Sequence, residues 1–232
     1  MARIFLSLSL FAISLLVVNV IVGLNTGDLN GAAKRFSDAE RAWRLRRESG
    51  AEAELDELKA EHDAALSDFQ PYRKHASLHI MLGLGAALVS VLVNSITVTY
   101  FVGTSRWCRE VCDTYYLGEE LAIRSTLLKR KTFPWSGLGI LATMAIVALG
   151  AASDPSALGP DRASQWVSAH FIAAIVGITV IAYALLRQVA AVGANYEIIN
   201  EILAEVNEIR AAKGLDSSSS EQKDSSSSDQ EN

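Results

Sequence analysis

Four stretches without a single Lys, Arg, Asp or Glu constrain this chain more than anything else in it: approximately Ile4–Leu24, Leu78–Val102, Trp135–Ala152 and Trp166–Leu186. A helix rises 1.5 Å per residue, so about 20 apolar residues cover the roughly 30 Å of bilayer hydrocarbon. The four runs meet or nearly meet that length, the third being the shortest. Lipid offers backbone amides no partner, so spans of this kind must be helices. The simplest way to bury their seams is an all-α, integral membrane four-helix bundle.

The first run also has features of a cleaved signal peptide, with "MAR" as a minimal charged start. Its apolar stretch is longer than the 7–15 residues of a signal core, which favours an uncleaved signal anchor. Orientation follows from the short flanks. Arg106, Arg109, Arg124, Lys129, Arg130 and Lys131 lie between runs two and three, against only Arg162 between runs three and four. The positive-inside rule then makes this a multi-pass cell-membrane protein with both termini cytoplasmic. Residues 25–77 carry nine basic side chains, but eleven acidic ones accompany them, and the segment is read as external.

The expected organisation is span 1 over 1–24, an external helical hairpin over 25–77, and span 2 over 78–102. A cytoplasmic helical segment over 103–134 leads to span 3 at 135–152. A short external loop at 153–165 and span 4 at 166–187 follow, then a cytoplasmic amphipathic helix over 188–213 and a tail at 214–232. "SDAE" at Ser37–Glu40 has the form of a capping box and predicts a helix start there. Phe36, Ala39, Trp43, Leu55, Leu58, Ala65, Leu66 and Phe69 recur at helical spacing, with a turn near "ESGAE". Pro71 should end that helix and open the next, Gly118 should break the cytoplasmic segment, and Pro134 should hand a short helix on to span 3.

Beyond Arg187, Val192, Tyr196, Ile199, Leu203 and Val206 follow a heptad, widened by Ile198, Ile202 and Ile209. Such a helix is too apolar to stand alone in water. It packs against residues 104–131 or against its copy in a homodimer. The tail, "GLDSSSSEQKDSSSSDQEN", has nothing apolar after Leu215 and is expected to stay disordered.

Chemistry is sparse. A net charge of −5 gives no basic footprint for nucleic acid. No nucleophile–base–acid set, phosphate-binding glycine loop or H-E-x-x-H motif is present, so the chain is not read as an enzyme. Cys108 and Cys112 share a helix turn in a reducing compartment with no His on that side, which favours packing over a disulfide or zinc site. Asn19, Asn94, Thr97, Thr99, Thr143 and Thr179 are read as interhelical hydrogen-bond formers, because no ionisable group marks a transport path at the midplane.

The histidines are the exception. His75 and His79 are one turn apart at the outer end of span 2, and His170 lies at a similar depth in span 4. Facing imidazoles suit a bis-histidine haem b with His79 and His170 as ligands. Gly83 and Gly177 are then the residues expected to make room. The pattern resembles the membrane cytochromes b in its paired His and nearby Gly alone. A metal site of His75, His79 and His170 is the alternative, and histidines seated at a lipid interface are the plain one.

The functional expectation is a small interaction or assembly component, its partners being membrane lipid and a protein partner or second copy held through 188–213 and 25–77. The runner-up is a haem-b electron carrier. A membrane sensor lacking an output domain is the third.

Overall fold

The computed structural model describes residues 2–49 and 55–215. The described part is all-helical: α1 Ala2–Leu24, α2 Leu29–Glu48, α3 Leu55–Tyr115, α4 Glu119–Ala152, α5 Pro155–Leu158, α6 Pro160–Ala163, a 3-10 turn Ser164–Trp166, and α7 Val167–Ala212. Four of these helices are long and apolar enough to cross a membrane: α1, α3, α4 and the helical stretch ending in α7. The turn expected near "ESGAE" and the tail from residue 216 lie outside the described residues.

α1 runs antiparallel to α3, α3 to α4, and α4 to α7, so α3 and α7 run parallel. α1 packs on α3 and α7, and α4 packs on the same two helices from the other side. The interior mixes small and polar residues (Ser9, Ala12, Ala86, Ser90, Asn94, Thr97, Ser136, Thr143, Ala184 and Gln188) with large apolar ones, Phe101, Ile181 and Leu185 being wholly buried. Other large apolar residues face outward, with Leu88 64%, Met144 60% and Ile172 61% exposed. An apolar exterior over small and polar helix contacts suits a lipid solvent, where close helix approach and interhelical hydrogen bonds help hold spans together.

Three expectations about helix ends are corrected. α2 begins at Leu29 and not after Ser37, because the Asp28 carboxylate accepts from the Gly31 amide at 2.9 Å and caps the helix nine residues earlier. Gly27, at φ +69°, makes the preceding turn, and Tyr72 of α3 packs on its bare Cα. Pro71 does not end a helix: α3 passes through it for 61 residues. Pro134 likewise lies inside α4. Each proline removes one backbone donor, a loss that neighbouring helices tolerate in spans. The 153–165 segment, read as a loop, is mostly short helix.

The Gly118 break is present, and its mechanism is local. Tyr116 takes φ +54°, the Leu117 amide donates back to the Cys112 carbonyl at 2.9 Å, and Gly118 caps α4. At the other end α2 folds back along the start of α3. Phe36 stacks on Phe69, His62 packs against both Phe36 and Trp43, and Arg35 pairs with Asp68 at 2.7 Å. Lys34 pairs with Asp161 at 2.7 Å and ties α2 to α6.

Past the spans, the end of α3, the start of α4 and the end of α7 form a three-helix extension. Its core is Cys108, Cys112, Leu121, Ala122, Ile198, Ile202 and Val206. The buried stripe of α7 is therefore Val192, Asn195, Ile198, Ile202 and Val206, while Tyr196 and Leu203 of the heptad stay exposed.

Candidate functional site

Two parallel helices bring the expected pair together. The rings of His79 on α3 and His170 on α7 lie 6.2 Å apart, centre to centre, inclined at 66°. His79 Nδ1 lies 3.1 Å from the backbone carbonyl of Asn19 on α1. A carbonyl only accepts, so in this contact Nδ1 carries the proton. The Nδ1 of His170 is buried and makes no hydrogen bond, nor does the buried Oδ1 of Asn19.

Glycines on the facing helices make the space for these rings. A Cβ on Gly23 of α1 would lie 2.7 Å from His79 Cε1, and one on Gly150 of α4 would lie 3.0 Å from His170 Cε1. Neither glycine was singled out as a histidine partner by the sequence, because the match runs between helices far apart in the chain. The two glycines expected to make room for a macrocycle do something else. Gly83 is covered by the Asn19 amide, and Gly177 by the Ile146 side chain at 2.7 Å from where a Cβ would sit.

His75 does not join the pair. It is exposed, and its Nδ1–H donates to the Pro71 carbonyl of its own helix at 2.8 Å. The three-histidine metal set thus fails at His75, and no group of three or more His, Cys, Asp and Glu able to hold a metal occurs among the described residues. His62 is engaged with Asp63 and the aromatic rings of the α2–α3 hairpin. The cysteines are buried in the extension, and burial pushes both thiols above their ordinary range.

A second polar assembly runs down the α3/α4/α7 junction. Ser90 and Thr143 share a hydrogen bond at 3.0 Å. Gln188 Nε2 donates to Asn94 Oδ1 at 2.9 Å, and Asn94 Nδ2 donates to the Ser90 carbonyl at 2.8 Å. Further along, Ser125 donates to Asn195 Oδ1 at 2.8 Å, and Asn195 Nδ2 reaches the hydroxyls of Thr104 and Tyr100. Asn94 was visible as the costliest polar residue in a span. Gln188 and Asn195 were not, although Ile181, Leu185, Gln188, Val192 and Asn195 continue one buried stripe at three-to-four spacing.

With this geometry in hand, comparison with protein families, curated proteins and solved structures finds no match to the chain.

Proposed function

We propose that this chain is a four-span integral membrane protein that works by interaction: an assembly component, with no catalysis of its own, that pairs with a second copy through its cytoplasmic extension. The supporting observation is the face that α1 leaves open. The Gly23–His79 and Asn19–Gly83 contacts set the antiparallel register and place Ala2 level with Tyr100. Beyond that level Tyr196 and Leu203 of α7 stand 47% and 41% exposed, beside Ile199, which like Trp107, Val111 and Tyr115 of α3 is only partly buried against the extension's core.

Lipid cannot cover this face if the exposed Arg124–Glu201 ion pair, which joins α4 to α7 at the same level, stands in water. Tyr196, Ile199 and Leu203 keep the a/d spacing with which parallel helices pair with their own copies. A cysteine at Leu203 should oxidise to a disulfide-linked dimer in the membrane, and one at Glu208, on the opposite side of α7, should not. Equal dimer at both positions, or none at either, overturns the reading.

The facing imidazoles support a second reading, a bis-histidine haem b on His79 and His170. It requires Asn19 and Ile146 to vacate the glycine notches they fill. A Soret band in the purified protein, lost in His170→Ala, would establish it in place of the first reading; a colourless protein removes it.

A further inference from the structure

The polar seam on the α3/α4/α7 junction has one unfinished level. Ser90 and Thr143 face each other, and Asn94 seats its amide in the notch of Gly139, where a Cβ would lie 2.6 Å from Oδ1. One turn on, the same antiparallel register places Ser136 opposite Thr97. The pairs Gly150–His170 and Ser125–Asn195 bracket Ser136 from the other side and set it against the Ala184–Gln188 turn of α7. Ser136 and Gln188 are both 0% exposed, and Ser136 Oγ and Gln188 Oε1 are both without a hydrogen-bond partner.

The Ser136 hydroxyl has a local remedy that it does not take. Thr132, Thr143 and Ser153 of the same helix each donate to the carbonyl four residues back, at 2.7–2.9 Å. Ser136 leaves that acceptor unused. A buried donor and a buried acceptor on facing helices, both without a hydrogen-bond partner, are what a bridging water satisfies. Left bare, each costs about 1–3 kcal/mol.

We infer that the α3/α4/α7 junction holds an ordered water between Ser136 Oγ and Gln188 Oε1, which extends the Ser90–Thr143–Asn94–Gln188 hydrogen-bonded group by one level toward Ser105. Water is the fitting ligand rather than a cation, because all the groups at this level are neutral and a bare charge among spans is costly. Toward the histidines the seam stops at Ala86, Ile146, Gly177 and Ile181, which are apolar. On the extension side, the buried Phe101 and Val192 stand between this level and the Ser105–Ser125–Asn195 group. The inference does not depend on any partner or on the histidine pair.

Radiolytic hydroxyl-radical labelling of the full chain in lipid nanodiscs, in 18O water with residue-level mass spectrometry, tests it. Leu185, 0% exposed and one turn from Gln188, should take up label several-fold more than Ile181, also 0% exposed but in the apolar layer. The Ser136→Ala, Gln188→Leu double variant should bring Leu185 down to the Ile181 level with the helical circular dichroism unchanged. Should that variant fail to fold, the contrast between Leu185 and Ile181 in the unaltered protein decides alone. Equal labelling of the two residues overturns the inference, as does labelling that changes when sodium and potassium are replaced by choline, which would make the occupant a cation.

Discussion

Gly139→Ala should be among the most damaging single-methyl additions in this chain. The new Cβ would lie 2.6 Å from Asn94 Oδ1, 3.0 Å from Nδ2 and 3.1 Å from Cγ, so the amide must move. It is not free to move, being held by the Ser90 carbonyl at 2.8 Å and by Gln188 at 2.9 Å. Overpacking costs about 1–3 kcal/mol, and each interhelical hydrogen bond lost adds about 0.6–1.7. The better helix propensity of alanine returns about 1, for a net loss of about 1–4 kcal/mol. Gly137 is the internal control, because a Cβ there meets nothing within 4 Å.

Equilibrium unfolding in mixed micelles should therefore separate Gly139→Ala from a neutral or slightly stabilised Gly137→Ala. In an Asn94→Ala background the Gly139→Ala penalty should vanish, since the colliding amide is gone. Indistinguishable glycine variants, or a penalty that survives in the Asn94→Ala background, would refute the reasoning.

Other outcomes follow from the extension. Ile202 is wholly buried, so Ile202→Asp should unfold the end of α7, removing roughly 1.5–3 kcal/mol of burial and adding an unpaired charge; unchanged melting would contradict the packing. Cys108 and Cys112, buried and with thiols pushed upward, should react with a water-soluble maleimide at neutral pH only after denaturation, and fast native labelling would show the core to be open. Arg124 donates to both carboxylate oxygens of Glu201, at 2.6 and 3.1 Å, and holds that carboxyl below its ordinary value of 4.5. A depressed carboxyl contributes stability that is complete above the ordinary value and is lost as pH falls through the folded one. The pair is exposed, so the effect is small; Glu201→Gln should still soften acid unfolding below pH 4.5, and an identical acid profile would count against the pair.

The helical content and the four apolar runs were legible because absence of charge over about 20 residues has few structural solutions. The helix ends were less so. "SDAE" has the letters of a capping box, yet Asp28 caps first, and once a helix is running a serine at Ser37 is only a surface residue. Pro71 and Pro134 read as boundaries because isolated helices stop at proline, whereas packed helices absorb the missing donor. At the site, depth along each helix was readable and brought His79 and His170 to one level. Which helix faces which was not, and so the Gly23–His79 and Gly150–His170 matches were invisible while Gly83 and Gly177 were assigned a role that Asn19 and Ile146 already fill. Gln188 escaped notice because Arg187 marks the end of the uncharged run, although the buried stripe continues past it.

The central claim is a chain that crosses the membrane four times, with the α2–α3 hairpin and the α7 extension on opposite sides. Single cysteines at Ser49 and Asn207, placed in turn in a Cys108→Ala, Cys112→Ala background, test it with a membrane-impermeant thiol reagent on intact cells. The cysteine at Ser49 should label at once, and the one at Asn207 only after permeabilisation. Labelling of both without permeabilisation, or of Ser49 only after it, would contradict the claim.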